Sequence, residues 1–273
     1  MLDMSQAFPV APPVRKANLR RIALPTEHGS WGFLLEPIVA GMALAFSPAA
    51  VLVALAVIGA FLARRPFTVL VMQRQESGRP VNTAAAFLAG YSTLALIGFS
   101  GLISLAGPVS LVPFVIAAPV AAYQLYTEIT RRGRQLTAEI AGAVIMPSSA
   151  AAMVLAGGGT SVQAVSIWLF FIARFIPSIL YVRNRLNLEK GKQDHAYVPI
   201  VLHLAALVIV ILLAVTGHLP LLTVPVFALL LARAGIGLSP YRRRVRAMKI
   251  GLWEVIYGAI VLLSLIAGHY AGY

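Results

Sequence analysis

The sequence predicts an all-α, polytopic membrane bundle of about nine transmembrane helices. Three observations lead there: the composition, the spacing of the apolar runs and the placement of the charge. Of 273 residues, 59% are hydrophobic and only 11% charged, whereas a soluble domain carries about 25% charged residues. Mean hydropathy is +0.85, more apolar surface than a soluble fold of this size can hide. Apolar runs near the roughly 20 residues needed to cross a bilayer recur along the chain. Cysteine is absent, which excludes disulfides, thiolate metal sites and cysteine nucleophiles.

Residues 1–22 carry Pro9, Pro12, Pro13, Arg15, Lys16, Arg20 and Arg21 without an apolar core. They are expected to form a flexible basic tail rather than a signal peptide, with 23–273 a single transmembrane domain. Helices are expected over 31–46, 49–72, 83–105, 111–126, 137–156, 162–182, 197–215, 219–236 and 250–271. The breaks between them hold helix-stopping residues: Ser47-Pro48, Gly78 and Pro80, Gly107-Pro108, Gly157-Gly158-Gly159, Gly217 with Pro220, and Ser239-Pro240.

Charge supports this division. All but one of the 22 Lys and Arg residues fall in the tail or in alternate connections, Arg233 being counted with the last of these. The positive-inside rule then sets the N-terminus in the cytoplasm and the C-terminus outside. The formal charge of +13 is thereby directed at anionic lipid headgroups, and nucleic acid is not an expected partner. A gapless offset of 110 residues aligns Pro37 with Pro147, Phe61 and Arg64 with Phe171 and Arg174, Thr68 with Ser178, and Arg132 and Arg134 with Arg242 and Arg244. It suggests two parallel four-helix repeats plus one helix.

An ionised side chain at mid-bilayer costs roughly 2.5–3.5 kcal/mol on insertion scales, so each one present is paired, interfacial or functional. Arg64 and Arg174 come first, each near the expected end of a long helix and close to a proline, Pro66 or Pro177. Two guanidiniums at matching depth suit bidentate binding of a phosphate or carboxylate; the plainer reading is snorkelling or pairing with a glutamate. Glu36 directly precedes Pro37 within an apolar helix, and a pair with Arg64 or Arg174 is its simplest explanation. Glu128 and Glu139 flank the basic turn Arg131-Arg132-Gly133-Arg134, and salt bridges there account for both. Thr26 is of a type that can cap the first helix, which would put Glu27 and His28 in its first turn as acid–base candidates alongside Glu139. Further ligand-binding candidates are Arg65, Arg183, Glu254 and, on one helix face, Tyr181 with Arg185, which share it with Asn184. His203, His218 and His269 have no partner at i+3 or i+4, so no metal site is expected, and no cofactor.

The motifs Pro25-x-Glu27-His28-Gly29-x-Trp31 with Leu34-Leu35-x-Pro37, Arg174 ahead of Tyr181-Val182-Arg183 with Arg185-Leu186, and Lys249-Ile250-Gly251-x-x-Glu254 resemble the YwiC-like family of bacterial membrane proteins. That resemblance implies a membrane protein and brings no activity with it. The helix count, duplication and long second-to-third and sixth-to-seventh connections are similar, more distantly, to the UbiA superfamily of intramembrane prenyltransferases. The likeness implies a UbiA-like bundle of two four-helix repeats plus one helix. Members hold magnesium and a diphosphate on Asp-rich motifs in those two connections. Here only Glu76, Glu189 and Asp194 remain as carboxylates there, too few oxygen ligands for two magnesium ions on a diphosphate.

The first reading is a bundle whose cytoplasm-facing cavity binds an anionic amphiphile, a lipid or isoprenoid phosphate, with arginines in place of metal ions. The alternatives are a proton-coupled transporter of a small anion, with Glu36 and Arg174 as its gate, and a non-catalytic subunit of a membrane complex. The topology is directly testable in a cysteine-free chain. A thiol placed at His218→Cys is expected to react with a membrane-impermeant maleimide on intact cells, and one at Arg132→Cys to stay unlabelled; the reverse pattern contradicts the orientation.

Overall fold

The computed structural model describes residues 19–25, 28–73, 81–192 and 197–272. Among them are eleven α-helices: α1 (Leu19–Ala23), α2 (His28–Leu44), α3 (Pro48–Gln73), α4 (Val81–Ala106), α5 (Val112–Ile129), α6 (Leu136–Ile145), α7 (Ser148–Ala156), α8 (Ser161–Glu189), α9 (Tyr197–Val215), α10 (Thr223–Leu238) and α11 (Ala247–Ala271). Seven helical segments are long and apolar enough to cross a membrane: α3, α4, α5 with the 3-10 turn before it, α6 joined to α7, α8, α9 and α11. Helices α2 and α10 are apolar but shorter. The chain is a multi-pass membrane protein. Leu96, Ile97, Val115, Ile116, Leu212 and Leu263 are exposed on its outer helices, where lipid rather than water is the solvent.

Several helix ends differ from the sequence expectation, each for a local reason. Residues 19–22, expected within the tail, are part of α1, whose Ile22 and Ala23 are buried. The expected helix over 137–156 is broken at Pro147, which has no N–H to continue the ladder. The break leaves carbonyls that need donors inside the membrane. The Trp168 indole donates to the Val144 carbonyl at 2.8 Å, and the Ser148 and Ser149 hydroxyls donate to those of Ile145 and Met146, both at 2.7 Å. Helix α8 continues seven residues beyond its expected end at 182. Polar residues close an apolar run without ending a helix, and Arg185 pairs with Glu189 at 2.9 Å across one turn there.

Helices α6–α7 and α8 form the middle of the bundle. In their apolar windows 72% and 61% of residues are buried, against 17% for both α4 and α5, so the first two pack against protein and the last two against lipid. Phe170, Phe171, Phe175 and Phe227 are fully enclosed. Phe33 lies 4.6 Å from Phe175 and Phe227 lies 5.3 Å from Phe170 between ring centroids, locking α8 to α2 and α10. At one end of the bundle, Arg183 donates to the Arg134 carbonyl at 3.2 Å and Arg242 to that of Leu188 at 3.3 Å. Those bonds gather the α5–α6, α8–α9 and α10–α11 connections into one basic end. At the opposite end the Tyr270 hydroxyl donates to the Ala43 carbonyl at 2.6 Å.

Helix α3, which carries Arg64, is held by close backbone approach to α4. A Cβ at Gly98 would stand 2.5 Å from the Ala56 nitrogen, and one at Gly59 would stand 2.7 Å from that of Ala95. Small residues at such crossings let helices meet where no hydrophobic force drives them together. Gly98→Leu must part the two helices and is expected to cost about 1–3 kcal/mol. Gly90→Ala, where a Cβ meets nothing within 4 Å, should leave stability unchanged or slightly raised. Thermal unfolding in detergent reads both; equal midpoints for the two variants would contradict this packing.

Candidate functional site

The charged side chains within the bundle sort into two clusters, built from different helices. The first surrounds Arg174, only 3% exposed and, at about 1.5 Å per residue, about 20 Å along α8 from Ser161. Its Nε lies 4.0 Å from Glu36 Oε2 on α2, and its Nη1 lies 3.6 Å from Glu254 Oε2 on α11. Nη2 donates to the Glu254 carbonyl at 3.2 Å, and Nη1 donates to the Ser178 hydroxyl one turn on. The opposite edge of Glu254 holds Arg233 of α10. The Arg233 guanidinium lies 4.2 Å from the Tyr181 ring centroid and 4.7 Å from that of Tyr257, where the negative faces of two aromatic rings add to the attraction of the carboxylate. Gly258 makes room for this arrangement, because a Cβ there would collide with Glu36 Oε1.

The result is an alternating chain, Glu36, Arg174, Glu254, Arg233, with two charges of each sign. Arg233 had been grouped with the last connection by charge alone; the structure places it within α10, its side chain 7% exposed. The signal that marks it in the sequence is its position three residues before Ile236, still inside an apolar run. On α9, His203 Nδ1 donates to the Pro199 carbonyl at 2.7 Å.

The second cluster lies at the basic end. Arg64 on α3 pairs with Glu128 in the last turn of α5, and its guanidinium lies 5.4 Å from the Phe61 ring. Beside the pair is a cleft of about 240 Å³ lined by Pro25, Arg64, Arg65, Thr68, Met72, Glu128, Arg131, Gly133 and Arg134. Among the described residues, four arginines and one glutamate line it. Arg64 Nη1 is buried without a hydrogen-bond partner, an unmet donor of the kind that costs about 1–3 kcal/mol.

Around these clusters the remaining candidates form the rim. Arg183 pairs with Glu139 at 2.8 Å, so Glu139 is met from α8 rather than from the basic turn that precedes it. Arg185 holds Glu189 and donates to the Gly237 carbonyl at 2.9 Å and to that of Arg243, fastening the end of α8 to the α10–α11 connection. Arg64 and Arg174 thus enter different clusters, each with its own carboxylates. His28 opens α2; Glu27, Glu76 and Asp194 lie outside the described residues. Among the described residues no three His, Asp or Glu side chains group as a metal centre. A further cleft of about 320 Å³ at the opposite end, with Gln163, His218 and His269 in its lining, contains none of the candidate residues.

Comparison with known proteins agrees with this architecture. No curated protein matches the chain. A solved structure described as giving structural and mechanistic insights into the biosynthesis of digeranylgeranylglyceryl phosphate synthase in membranes is similar, with a TM-score of 0.64, 16% sequence identity, 93% of this chain covered and 97% of that one. At that identity the likeness is one of fold alone. Residues 24–155, the segment that carries Trp31, Pro37, Arg64 and Glu128, match the model of the YwiC-like protein family.

Proposed function

We propose that the protein binds an anionic amphiphile, a lipid or isoprenoid phosphate, with its headgroup in the cleft between α3 and the α5–α6 turn and its apolar tail in the bilayer. One observation carries this reading: the excess of guanidinium over carboxylate in that cleft, set against the exact balance of charge in the Glu36–Arg174–Glu254–Arg233 chain. Its volume, about 240 Å³, lies below the roughly 300–1,000 Å³ of pockets that enclose a whole ligand, which suits a headgroup with the rest of the molecule outside. Planar guanidiniums match phosphate oxygens bidentately. The similar structure is that of a synthase named for an isoprenoid lipid phosphate, which supports the choice of ligand class.

With the orientation expected from the positive-inside rule, this cleft opens to the cytoplasm. The two-repeat plan is supported by the helix ends: shifted by 110 residues, α3 falls on 158–183 beside α8 and α5 falls on 222–239 beside α10. A divergent transferase without Asp-rich metal motifs fits the same plan, and Glu27 and His28 stand two and three residues after Pro25 of the cleft in sequence. Gated transport through Glu36 and Arg174 is the weaker reading, because their cluster carries no surplus positive charge to hold an anion.

Removing two of the arginines that line the cleft, while Arg64 and Glu128 stay in place, tests the proposal. Protein purified in a non-ionic detergent is expected to carry a phosphate-bearing amphiphile detectable by mass spectrometry. The Arg65→Ala/Arg134→Ala variant is expected to retain roughly a tenth of it or less, since each charged hydrogen bond contributes about 1.5–3 kcal/mol. Undiminished amphiphile in that variant would contradict the site.

A further inference from the structure

Four helices end in the same hydrogen-bond pattern, and one of them breaks the residue rule that the other three obey. In α7, Gly158 N donates to the Leu155 carbonyl at 3.1 Å and Gly159 N to that of Val154 at 2.8 Å. In α8, Gly191 and Lys192 donate in the same way to Leu188 and Asn187 at 3.2 and 3.0 Å, and in α9, Gly217 and His218 donate to Ala214 and Leu213 at 3.0 and 2.8 Å. This is the Schellman arrangement, whose first residue beyond the helix must adopt a left-handed backbone. In those three helices that residue is glycine, at φ 84, 73 and 76, because an L side chain is disfavoured there.

Helix α5 closes with the same two bonds, Arg131 N to the Glu128 carbonyl at 3.1 Å and Arg132 N to that of Thr127 at 2.7 Å. The left-handed residue is now Arg131, at φ 60. Among the described residues it is the one non-glycine at positive φ. Membrane topology does not call for a charge at that position, since Arg132 and Arg134 stand within three residues of it. Arg131 instead lines the cleft, together with Arg64, Arg65 and Arg134, and the residue whose carbonyl receives its N–H, Glu128, is the carboxylate that holds Arg64. One strained turn therefore sets both the partner of Arg64 and a further guanidinium at the same opening. Backbone strain kept at a site where an unstrained residue is in use elsewhere in the same chain points to a role for the side chain.

We propose that Arg131 is a ligand-binding residue, held in a left-handed backbone so that its guanidinium reaches a phosphate group in the cleft, at a cost in stability that glycine would relieve. The inference rests on the phosphate-amphiphile reading above and names a binding residue for that site. The phosphate is either a lipid headgroup or a free anion, and the two are distinguished by the probes.

Isothermal titration in a non-ionic detergent, with dodecyl phosphate and with inorganic diphosphate, together with thermal unfolding, tests it. Arg131→Gly is expected to unfold a few degrees above the wild type and to bind the probe roughly tenfold more weakly or worse, the loss of one charged hydrogen bond. Arg131→Ala keeps the strained backbone without the guanidinium, and is expected to bind as weakly while unfolding near the wild-type temperature. Preference for dodecyl phosphate identifies a headgroup site, and equal affinity for diphosphate identifies a site for the bare anion; both support the proposal. Wild-type affinity in Arg131→Gly, or a lowered unfolding temperature for it, overturns the role of Arg131 and leaves the cleft standing. Binding of neither probe by the wild type overturns both.

Discussion

Glu254 is shared between two guanidiniums, and the second half of the bundle is organised around that sharing. Arg174 and Arg233 come from α8 and α10, and both reach the carboxylate on α11, while Glu36 on α2 closes the far side of Arg174. Each of these charges alone would cost roughly 2.5–3.5 kcal/mol at mid-bilayer, and removing one partner of a buried pair costs about 3–5 kcal/mol. Those magnitudes exceed what a single apolar contact contributes, about 0.8 kcal/mol for a buried methylene. The charges therefore restrict which registers of α2, α8, α10 and α11 are tolerable, and Phe33, Phe170, Phe175 and Phe227 fill the space that the allowed register leaves. Gly258 belongs to the same constraint, since its missing side chain lets the Glu36 carboxylate lie against α11.

Arg64, on α3, meets the same cost of a buried charge differently. Arg64 and Arg174 are related by the 110-residue offset, yet Arg64 takes Glu128 on α5, whereas the position that corresponds to Glu128 in the second half is Leu238. Deprived of that partner, Arg174 draws on α2 and α11 and becomes deeply buried. Arg64 stays at the edge of a cleft rich in further guanidiniums. Two arginines 110 residues apart thus end in a charge-balanced cluster and beside a cleft lined by further arginines, and the proposed binding site rests on that difference.

Much of this was legible in the residues. Apolar runs and loop charge located the helices, and the rarity of ionised residues within them singled out Arg64, Arg174 and Glu36; the pairing of Glu36 with Arg174 was one of two simple options. What stayed hidden depends on three-dimensional neighbours. Arg233 was absorbed into a loop because charge near an apparent helix end reads as an interfacial flank, and only the rings of Tyr181 and Tyr257 reveal it as buried. The continuation of α8 beyond 182 was masked by polarity, which governs membrane depth rather than hydrogen bonding along a helix. The break at Pro147 was visible as a proline, but its tolerance depends on Trp168 donating from another helix. Sequence periodicity could not bring the Arg131 turn to Arg64, because the carboxylate that joins them lies 64 residues from the arginine.

A double-mutant cycle on Arg233 and Glu254 tests the shared-carboxylate account most directly, with unfolding free energy in detergent as the readout. Glu254→Leu strands two guanidiniums and Arg233→Met leaves one carboxylate edge unmatched, so each alone is expected to be destabilising, the first by about 3–5 kcal/mol. The double variant leaves Glu36 and Arg174 as a balanced pair, and should recover at least about 2 kcal/mol relative to the sum of the single losses. Losses that simply add would show that the two charges are stabilised independently, and would contradict the account.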